Sequence, residues 1–284
     1  MTRIALVTGA NQGIGYALVT DLAARWRPDD LVLLTGRDPG RVAEAATRAA
    51  ATATARVEGR VLDVTDTAAI AALAAELGAV DVVISNATAR ITPDRTPAEQ
   101  IDEFVDVANG ATDAILRSFG PIVRPGGRLI IVASSLGTLG HLDERLHPLF
   151  ENATLDDVAK VVADWRAAVH DGTARERGWP EWINVPSKVA QVAAVRAVAR
   201  ERRDTDLAAG TLVAAVCPGL VDTPTSRPWF DDFSRARTPE QAAVGVLDFV
   251  LADPVDPATY GELVRYGTVL PWHSGRPVTD RRAR

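Results

Sequence analysis

The segment Thr8-Gly9-Ala10-Asn11-Gln12-Gly13-Ile14-Gly15 places three glycines between an apolar run at residues 4–8 and a stretch with helical spacing at 16–26. In dinucleotide-binding folds, a strand, a glycine turn and a helix follow one another in this order, because the glycines let the backbone approach a pyrophosphate. The free N–H groups at the helix start then point at that anion. A three-glycine turn alone is weak support, so the prediction depends on the order of the three elements.

Apolar, β-branched runs alternate with helical stretches along the rest of the chain. We predict strands at 4–8, 31–35, 57–64, 80–85, 128–134, 211–217 and 262–267, and helices at 16–26, 40–50, 66–77, 97–118, 154–170, 186–203 and 238–252. Strands this apolar are covered on both faces, as in a parallel sheet between two layers of helices. The pattern therefore predicts an α/β fold of the Rossmann type, with a doubly wound parallel sheet of about seven strands.

A length of 284 residues is compatible with one α/β domain. We predict a single dinucleotide-binding oxidoreductase domain over residues 1–272. It includes an insertion at about 138–181 with its own helix, because the connection after the fifth strand is unusually long. Residues 273–284 contain four arginines and are predicted to form a mobile tail.

Composition and charge narrow the class of partner. A net charge of −6 with scattered arginines predicts no nucleic-acid partner. No apolar run reaches the roughly 18 residues of a membrane span, and the strand-like run at Ile4 leaves no room for a signal peptide, so we expect a cytoplasmic protein without a membrane partner. The single cysteine, Cys217, excludes an internal disulfide and is expected to be buried and inert. No metal site is predicted.

Two charged residues follow strands where a dinucleotide presents its adenosine half. Arg37 follows the second strand, in TGRD, and a guanidinium there favours the 2′-phosphate of NADP, whereas a carboxylate would bind the free ribose hydroxyl of NAD. The alternative is a solvated arginine at a strand end. Asp63 follows the third strand, where it meets the adenine edge or merely caps the next turn. The sequence therefore favours NADP(H) as cofactor.

Five segments resemble the short-chain dehydrogenase/reductase family over nearly the whole chain. In order they are TGANQGIG (8–15), VDVVISNAT (80–88), GRLIIVASSLG (127–137), GWPEWINVPSK (178–188) and CPGLVDT (217–223). The long insertion ending in Gly178-Trp179-Pro180, together with Arg37, is similar to the monomeric carbonyl-reductase branch. The resemblance implies hydride transfer between NADP(H) and a carbonyl or imine of a small organic substrate, by a protein that acts as a monomer.

The resemblance also assigns roles to individual residues. It implies a cofactor site formed by Gly9, Asn11, Gln12, Gly13, Ile14, Gly15, Arg37, Asp63, Asn86, Lys188, Pro218, Gly219 and Thr223. Ser134, with Ser135 as the fallback, is implied to hydrogen-bond the substrate carbonyl, and Lys188 to bind the nicotinamide ribose. The family's catalytic tyrosine falls at Asn184, which we include with Ser134 and Lys188 among the catalytic positions.

Two further positions depart from the family pattern. Its Asn-Asn-Ala-Gly segment corresponds to Ser85-Asn86-Ala87-Thr88 here, and the asparagine of the following long helix falls at Ala108 or Asn109. Pro218-Gly219 and Thr223, in contrast, match the family loop that closes over the nicotinamide amide. The resemblance therefore implies that cofactor binding is better kept than the proton-transfer chain.

The loss of the tyrosine leaves several outcomes open, because a carboxamide donates hydrogen bonds but does not yield a proton near neutral pH. A substitute acid could come from residues 141–147, with His141 as the candidate, or His141 is a surface histidine. The substrate could carry its own charge, as an iminium does. The protein could instead bind NADP(H) without catalysis, as a sensor or scaffold. Asn184 also suits a purely structural role, because asparagine is a preferred N-cap and Pro186 is tolerated in a first turn.

Overall fold

The computed structural model describes residues 2–276. The strands are β1 (Ile4–Val7), β2 (Leu31–Gly36), β3 (Arg56–Val61), β4 (Val80–Ser85), β5 (Val123–Val132), β6 (Leu212–Val216), β7 (Leu263–Arg265) and β8 (Thr268–Leu270). The α-helices are α1 (Gly13–Arg25), α2 (Pro39–Ala50), α3 (Thr67–Leu77), α4 (Pro97–Val105), α5 (Ala111–Phe119), α6 (Leu155–His170), α7 (Asn184–Ala208) and α8 (Pro239–Val250).

One sheet runs through the molecule in the order β3-β2-β1-β4-β5-β6-β7-β8. Strands β1 to β7 are parallel, so the predicted single-domain α/β fold with a parallel, doubly wound sheet is confirmed. The chain winds outward from β1 to β3 and then returns to β4 on the other side of β1. This reversal opens a crevice at the carboxyl ends of β1 and β4, where ligands bind in such sheets.

Two layers of helices cover the sheet. On one side α1 packs between α2 and α8, and on the other α5 packs between α3 and α7. The central strands are apolar on both faces because both faces are covered; Ala5, Leu6 and Val7 of β1, for example, are completely buried. The core therefore lies on both sides of the strands, and the loops at their carboxyl ends remain free to build a site.

The structure adds a strand that the sequence pattern did not predict. The last predicted strand, 262–267, ends at Arg265, and the chain reverses through Tyr266 and Gly267 into the antiparallel strand β8. Both turn residues have positive φ, 52° and 76°, as in the two-residue turns that match the twist of a hairpin. Tyrosine rarely adopts this conformation, so its place in the turn was not predicted.

A π-turn divides the helix predicted at 97–118. Residues Asp106–Gly110 form the π-turn between α4 and α5, and the N–H of Ala111 reaches back to the carbonyl of Asp106. A π-turn accommodates one more residue than an α-helical turn, so it interrupts the α-helical register without ending the helix. Apolar spacing alone did not reveal it.

The connection between β5 and α7 contains two 3₁₀ helices, Leu139–His141 and Glu144–Leu149, followed by α6. Helix α6 packs against α4 and α7. Part of the predicted tail contacts this segment, since Thr138 Oγ1 donates to the carbonyl of Ser274 at 2.5 Å. Residues 277–284 lie outside the described residues, so a mobile tail stays a prediction. Between residues 2 and 276, no helix has the length and apolarity that crossing a membrane requires.

Candidate active site

The glycine turn at the carboxyl end of β1 is held by the amide of Asn86, which follows β4. Asn86 Nδ2 donates to the carbonyls of Thr8 at 3.0 Å and of Gly9 at 3.2 Å. A Cβ atom on Gly15 would lie only 2.5 Å from both that amide nitrogen and the carbonyl oxygen of Gly9. Position 15 therefore has no room for a side chain, and α1 begins in direct contact with the turn.

The first turn of α1 has no side-chain cap. Gln12, its N-cap residue, makes no capping hydrogen bond, and its Oε1 instead accepts from the Arg41 guanidinium at 2.5 Å. The helices α2, α3, α6 and α8 are each capped by an Asp or Thr side chain; the capping residues are Asp38, Asp66, Thr154 and Thr238. The first N–H groups of a helix have no intrahelical partner, so those of α1 remain available to an anion.

Arg37 and Asp63 lie near each other at the ends of β2 and β3. Arg37 is 68% exposed and pairs with Glu103 at 3.3 Å, a surface pair that contributes little stability. Asp63 Oδ1 accepts hydrogen bonds from the N–H of Thr65 at 2.9 Å and from its hydroxyl at 2.8 Å. These two bonds lower the pKa of Asp63 against the opposing effect of burial, and the charge of Arg37 adds to the decrease. Asp63 thus caps a turn beside a cation that has no strong competing partner.

The loop after β6 faces the glycine turn. An added Cβ on Gly13 would come within 4.0 Å of Thr223 Cγ2. The preceding Pro218-Gly219 pair is held from β7, because the Tyr266 hydroxyl donates to the carbonyl of Pro218 at 3.3 Å. The guanidinium of Arg237 lies 3.9 Å above the Tyr266 ring and keeps that ring in place. Tyr266 and Arg237 therefore support the loop, although no sequence motif pointed to them.

The turn that carries Ser134 lies against α7. Ser134 follows β5, and its Oγ accepts from the N–H of Leu136 at 3.3 Å. A Cβ on Gly137 would meet the carbonyl oxygen of Lys188 at 2.9 Å and Val192 Cγ2 at 2.7 Å. Because Gly137 has no side chain, the Ser134 turn approaches the helix turn that contains Lys188.

Helix α7 begins at Asn184, two residues before the predicted start. Ile183 is the N-cap residue and has no side-chain capping bond, so Asn184 starts the helix but does not cap it. Asn184 is the first helical residue, is partly exposed, and its side chain makes no hydrogen bond within residues 2–276. Asn184 and Lys188 are four residues apart and share one helical face.

Lys188 is buried, with 8% of its surface exposed. Its Nζ donates to Oε1 of Gln191 at 2.6 Å, so the partner of the ammonium group is a neutral amide. Burial lowers the pKa of Lys188 to about 8, and the nearby Cys217 thiol acts weakly in the opposite direction. Cys217 is buried, as predicted.

A polar cluster joins α7 to the π-turn behind Lys188. Gln191 Nε2 donates to the carbonyl of Ala108 at 3.1 Å and to Thr112 Oγ1 at 2.9 Å. Asn109 exchanges two hydrogen bonds with Ser187, at 3.0 and 2.8 Å. The family asparagine was predicted at either Ala108 or Asn109, and both positions contact α7. Gln191 was missed, although its position three residues after Lys188 is a usable signal.

The aromatic residues before α7 divide into two groups. Trp179 packs into the insertion, with its ring centroid 6.0 Å from that of Trp165. Trp182 instead stacks at 5.3 Å on Trp229, which belongs to the loop after β6. His141 is pinned beside residue 138, its Nδ1 lying 2.8 Å from Thr138 Oγ1. Its role as an acid stays a prediction.

The predicted site residues gather at one edge of the sheet. Two of them, Asn184 and Lys188, lie in the first turns of α7. The others follow the carboxyl ends of β1 to β6; they are Gly9, Asn11, Gln12, Gly13, Ile14, Gly15, Arg37, Asp63, Asn86, Ser134, Pro218, Gly219 and Thr223. The glycine turn, Asn86 and Thr223 lie close together, as do the Ser134 turn and Lys188. The individual roles stay predictions.

Comparison with known proteins identifies the family. Residues 3–143 match the short chain dehydrogenase family. Carbonyl reductase [NADPH] 3 of Rattus norvegicus is 32% identical over 95% of this chain and 99% of the rat protein. Salutaridine reductase of Papaver somniferum has a TM-score of 0.78 at 22% identity, over 92% of this chain and 99% of that one. An NADPH-bound carbonyl reductase from chicken fatty liver has a TM-score of 0.67 at 22% identity, over 95% and 99%. With this fold, and a full-length relative above 30% identity, the chain belongs to the short-chain dehydrogenase family of oxidoreductases.

Proposed function

We propose that the protein is an NADPH-dependent reductase that transfers hydride to the carbonyl or imine carbon of a small organic substrate. The observation that carries the proposal is the contact of the Ser134 turn with the Lys188 turn of α7 through Gly137. It supports the proposal because a hydroxyl donor and a buried cation then lie close together at the edge of the sheet that carries the glycine turn. The substrate would bind between Ser134 and the start of α7.

The residues present fit an NADP(H) cofactor. The uncapped start of α1 suits the pyrophosphate, and so does the close packing of backbone groups around Gly15, which we call the cradle. A side chain at position 15 would fill the space inside the cradle. Arg37 and Arg41 suit the 2′-phosphate, because each offers a guanidinium near the end of β2. The related carbonyl reductases carry NADPH in their names, in agreement with this choice. Bound there, the dihydronicotinamide would supply the hydride.

The chain's own groups would orient and polarise the substrate. The Ser134 hydroxyl can donate a hydrogen bond to a carbonyl oxygen, and so can the Asn184 amide. The resemblance of residues 178–188 to the family motif implies that Asn184 stands where the family keeps its tyrosine. With an amide at this position, proton delivery must come from another group, or the substrate must be a cation such as an iminium.

Trp182 and Trp229 support an apolar, flat substrate. Their stacked rings join the α7 start to the loop after β6, next to Asn184 in the chain. Such an aromatic wall favours a ring-containing ligand over a sugar or an amino acid. A monomeric state and a cytoplasmic location stay predictions.

The test combines binding with turnover. Titration of NADPH fluorescence should show saturable binding, with weaker binding of NADH. NADPH oxidation should then be followed with a panel of aromatic ketones, aldehydes and cyclic imines. Binding followed by turnover of at least one class supports the reductase. Binding with no turnover by any class would favour the sensor or scaffold, and no binding of either nucleotide would overturn the assignment.

A further inference from the structure

We infer that Lys188 is the proton donor of this reaction, and that Gln191 is the positioning residue that keeps its ammonium group ready to donate. The inference rests on the proposed reductase function and deepens it. It assigns the proton to a residue for which the resemblance implied binding of the nicotinamide ribose.

The face of α7 that borders the proposed substrate space carries Asn184 and Lys188. The Asn184 side chain makes no hydrogen bond within residues 2–276 and holds no acidic proton. The next group on the same face is Lys188, one helical turn later. An amide at position 184 is shorter than the tyrosine that the resemblance implies there, so we expect a substrate oxygen, or a bridging water, to approach Lys188 from this side.

The ammonium group of Lys188 has two neighbours. It faces the Cys217 thiol, which follows β6, and the neutral amide of Gln191 on its own helix. The carboxylates of Asp106 in the π-turn and of Asp113 in the first turn of α5 both pair with arginines. No carboxylate of residues 2–276 pairs with Lys188, so the Gln191 amide dipole is the hydrogen-bonding partner of its charge.

The consequence is an acid suited to neutral pH. A buried ammonium group without a counterion loses its proton easily, and the pKa of Lys188 falls to about 8. A general acid works best with a pKa near the operating pH. In contrast, a lysine paired with a carboxylate would keep its proton.

The hydrogen bonds of the Gln191 side chain fix the orientation of its amide. The carbonyl of Ala108 only accepts hydrogen bonds, so the atom of Gln191 that faces it must be the amide nitrogen. This places Oε1 toward Lys188 Nζ. Gln191 thus holds the ammonium group in place without neutralising it, and among residues 2–276 no other side chain or carbonyl accepts a hydrogen bond from Lys188 Nζ.

The step that follows is balanced. The hydride forms a C–H bond at the carbonyl carbon, the electron pair of the C=O π bond moves to the oxygen, and that oxygen takes a proton from Lys188 Nζ. The carbonyl is reduced to an alcohol, with oxidation of the dihydronicotinamide. Lys188 is left as a neutral amine, which regains a proton from solvent before the next turnover.

The main experiment is the pH dependence of kcat/KM for ketone reduction by the whole protein. Because reduction requires the ammonium form, kcat/KM should fall as the pH rises through about 8, approaching about tenfold per pH unit above it. Alcohol oxidation with NADP⁺ requires the neutral amine and should rise through the same pH. A ketone reduction rate that is constant from pH 7 to 9.5 would overturn the inference.

Gln191→Glu tests the positioning residue. A carboxylate beside Lys188 should raise the pKa of its ammonium group. The pH at which kcat/KM for ketone reduction falls should therefore increase by roughly one pH unit or more. Gln241→Glu is the matched control, because it adds the same charge at an exposed site and keeps the capping box of α8. Its pH profile of kcat/KM should equal that of the unchanged protein. An unchanged pH profile in Gln191→Glu would show that Gln191 does not set the acidity of Lys188.

Lys188→Arg separates proton donation from charge. A guanidinium keeps the positive charge but stays protonated, so turnover should drop by at least about 100-fold while NADPH binding changes only a few-fold. Retained ketone reduction in this variant would overturn the inference. Circular dichroism checks that the variant folds.

A readout without turnover distinguishes the two proposals. Competitive labelling with acetic anhydride across a pH series, read by mass spectrometry at Lys188, should give a midpoint near 8. A midpoint at the ordinary lysine value would overturn the inference even if the protein reduces ketones. NADPH binding with no turnover at any pH would overturn both the proton donor and the reductase, and absent NADPH binding would overturn the cofactor assignment.

Discussion

The starts of α1 and α7 face the same edge of the sheet, and neither has a side-chain cap, yet they are built differently. Around α1 the essential groups are backbone carbonyls and N–H groups, packed against Asn86 so closely that Gly15 has no space for a side chain. Around α7 they are the side chains of Asn184 and Lys188. Backbone groups can bind a pyrophosphate whatever side chains point away from the turn, provided that the turn keeps its shape, whereas acid chemistry changes with a single side chain. Cofactor binding and proton transfer can therefore diverge within one site.

The largest effect is expected from placing a second acid at α7, one turn before Lys188. Asn184→Tyr should increase ketone reduction by up to about 10²-fold, the lower end of what a positioned general acid contributes, because Lys188 already supplies a proton. Steady-state NADPH oxidation measures it. Asn184→Phe supplies the same ring without the hydroxyl and should give no gain. If Asn184→Tyr matched Asn184→Phe, the two helix starts would differ by more than one residue.

Gly15→Ala tests the backbone character of the α1 start. The new methyl group would overlap the carbonyl of Gly9 and the Asn86 amide, and displacing them should weaken NADPH binding by about 100-fold, equivalent to roughly 3 kcal/mol. Gly40→Ala places the same methyl group near the start of α2, where the nearest atom is 3.4 Å away, and should bind NADPH normally. Fluorescence titration compares the two, and equal affinities would contradict the cradle.

Arg37→Ala should discriminate between the two nucleotides. Loss of one charge-assisted contact to the 2′-phosphate should weaken NADPH binding by about tenfold, less than for a buried pair because Arg37 is largely exposed. NADH lacks this phosphate, so its affinity should stay the same. A parallel loss for both nucleotides in the titration would mean that Arg37 acts on the fold instead. Arg41→Ala is the companion variant.

The smallest effect concerns the missing cap of α1. Gln12→Ser supplies a hydroxyl that can cap the helix, which should stabilise the cofactor-free protein by about 0.5–1 kcal/mol and weaken NADPH binding a few-fold. Gln12→Ala also loses the Arg41 contact but adds no cap, so it isolates the capping term. Thermal unfolding with and without NADPH measures both effects. Stabilisation without any loss of binding would show that these N–H groups do not serve the cofactor.

The fold was predictable because the burial of each strand and helix determines which of its positions are apolar. Strands covered on both faces must be apolar throughout, and the glycine turn fixes the order of strand and helix. The hairpin at Tyr266 and the π-turn were not predictable from the same signals, since each depends on a backbone conformation that its residue types do not favour.

The candidate site was predicted residue by residue only where a motif exists. Gly15, Arg37 and Lys188 stand in recognisable segments and reach the expected edge of the sheet. Gln191 and Tyr266 were missed because their importance comes from contacts with distant parts of the chain, namely the π-turn and the loop after β6. Such contacts are set by tertiary packing, which a single sequence does not display.

The π-turn at Asp106–Gly110 sets the rotation of α5 about the helix axis relative to α4. Removing a single residue there would turn α5 by about 100° relative to α4, the rotation of one helical step. The carbonyl of Ala108 and the hydroxyl of Thr112 would then no longer meet Gln191 together. A one-residue deletion in the π-turn would thus change the surroundings of Lys188 through Gln191, whereas the glycine turn belongs to the opposite helix layer, at the start of α1.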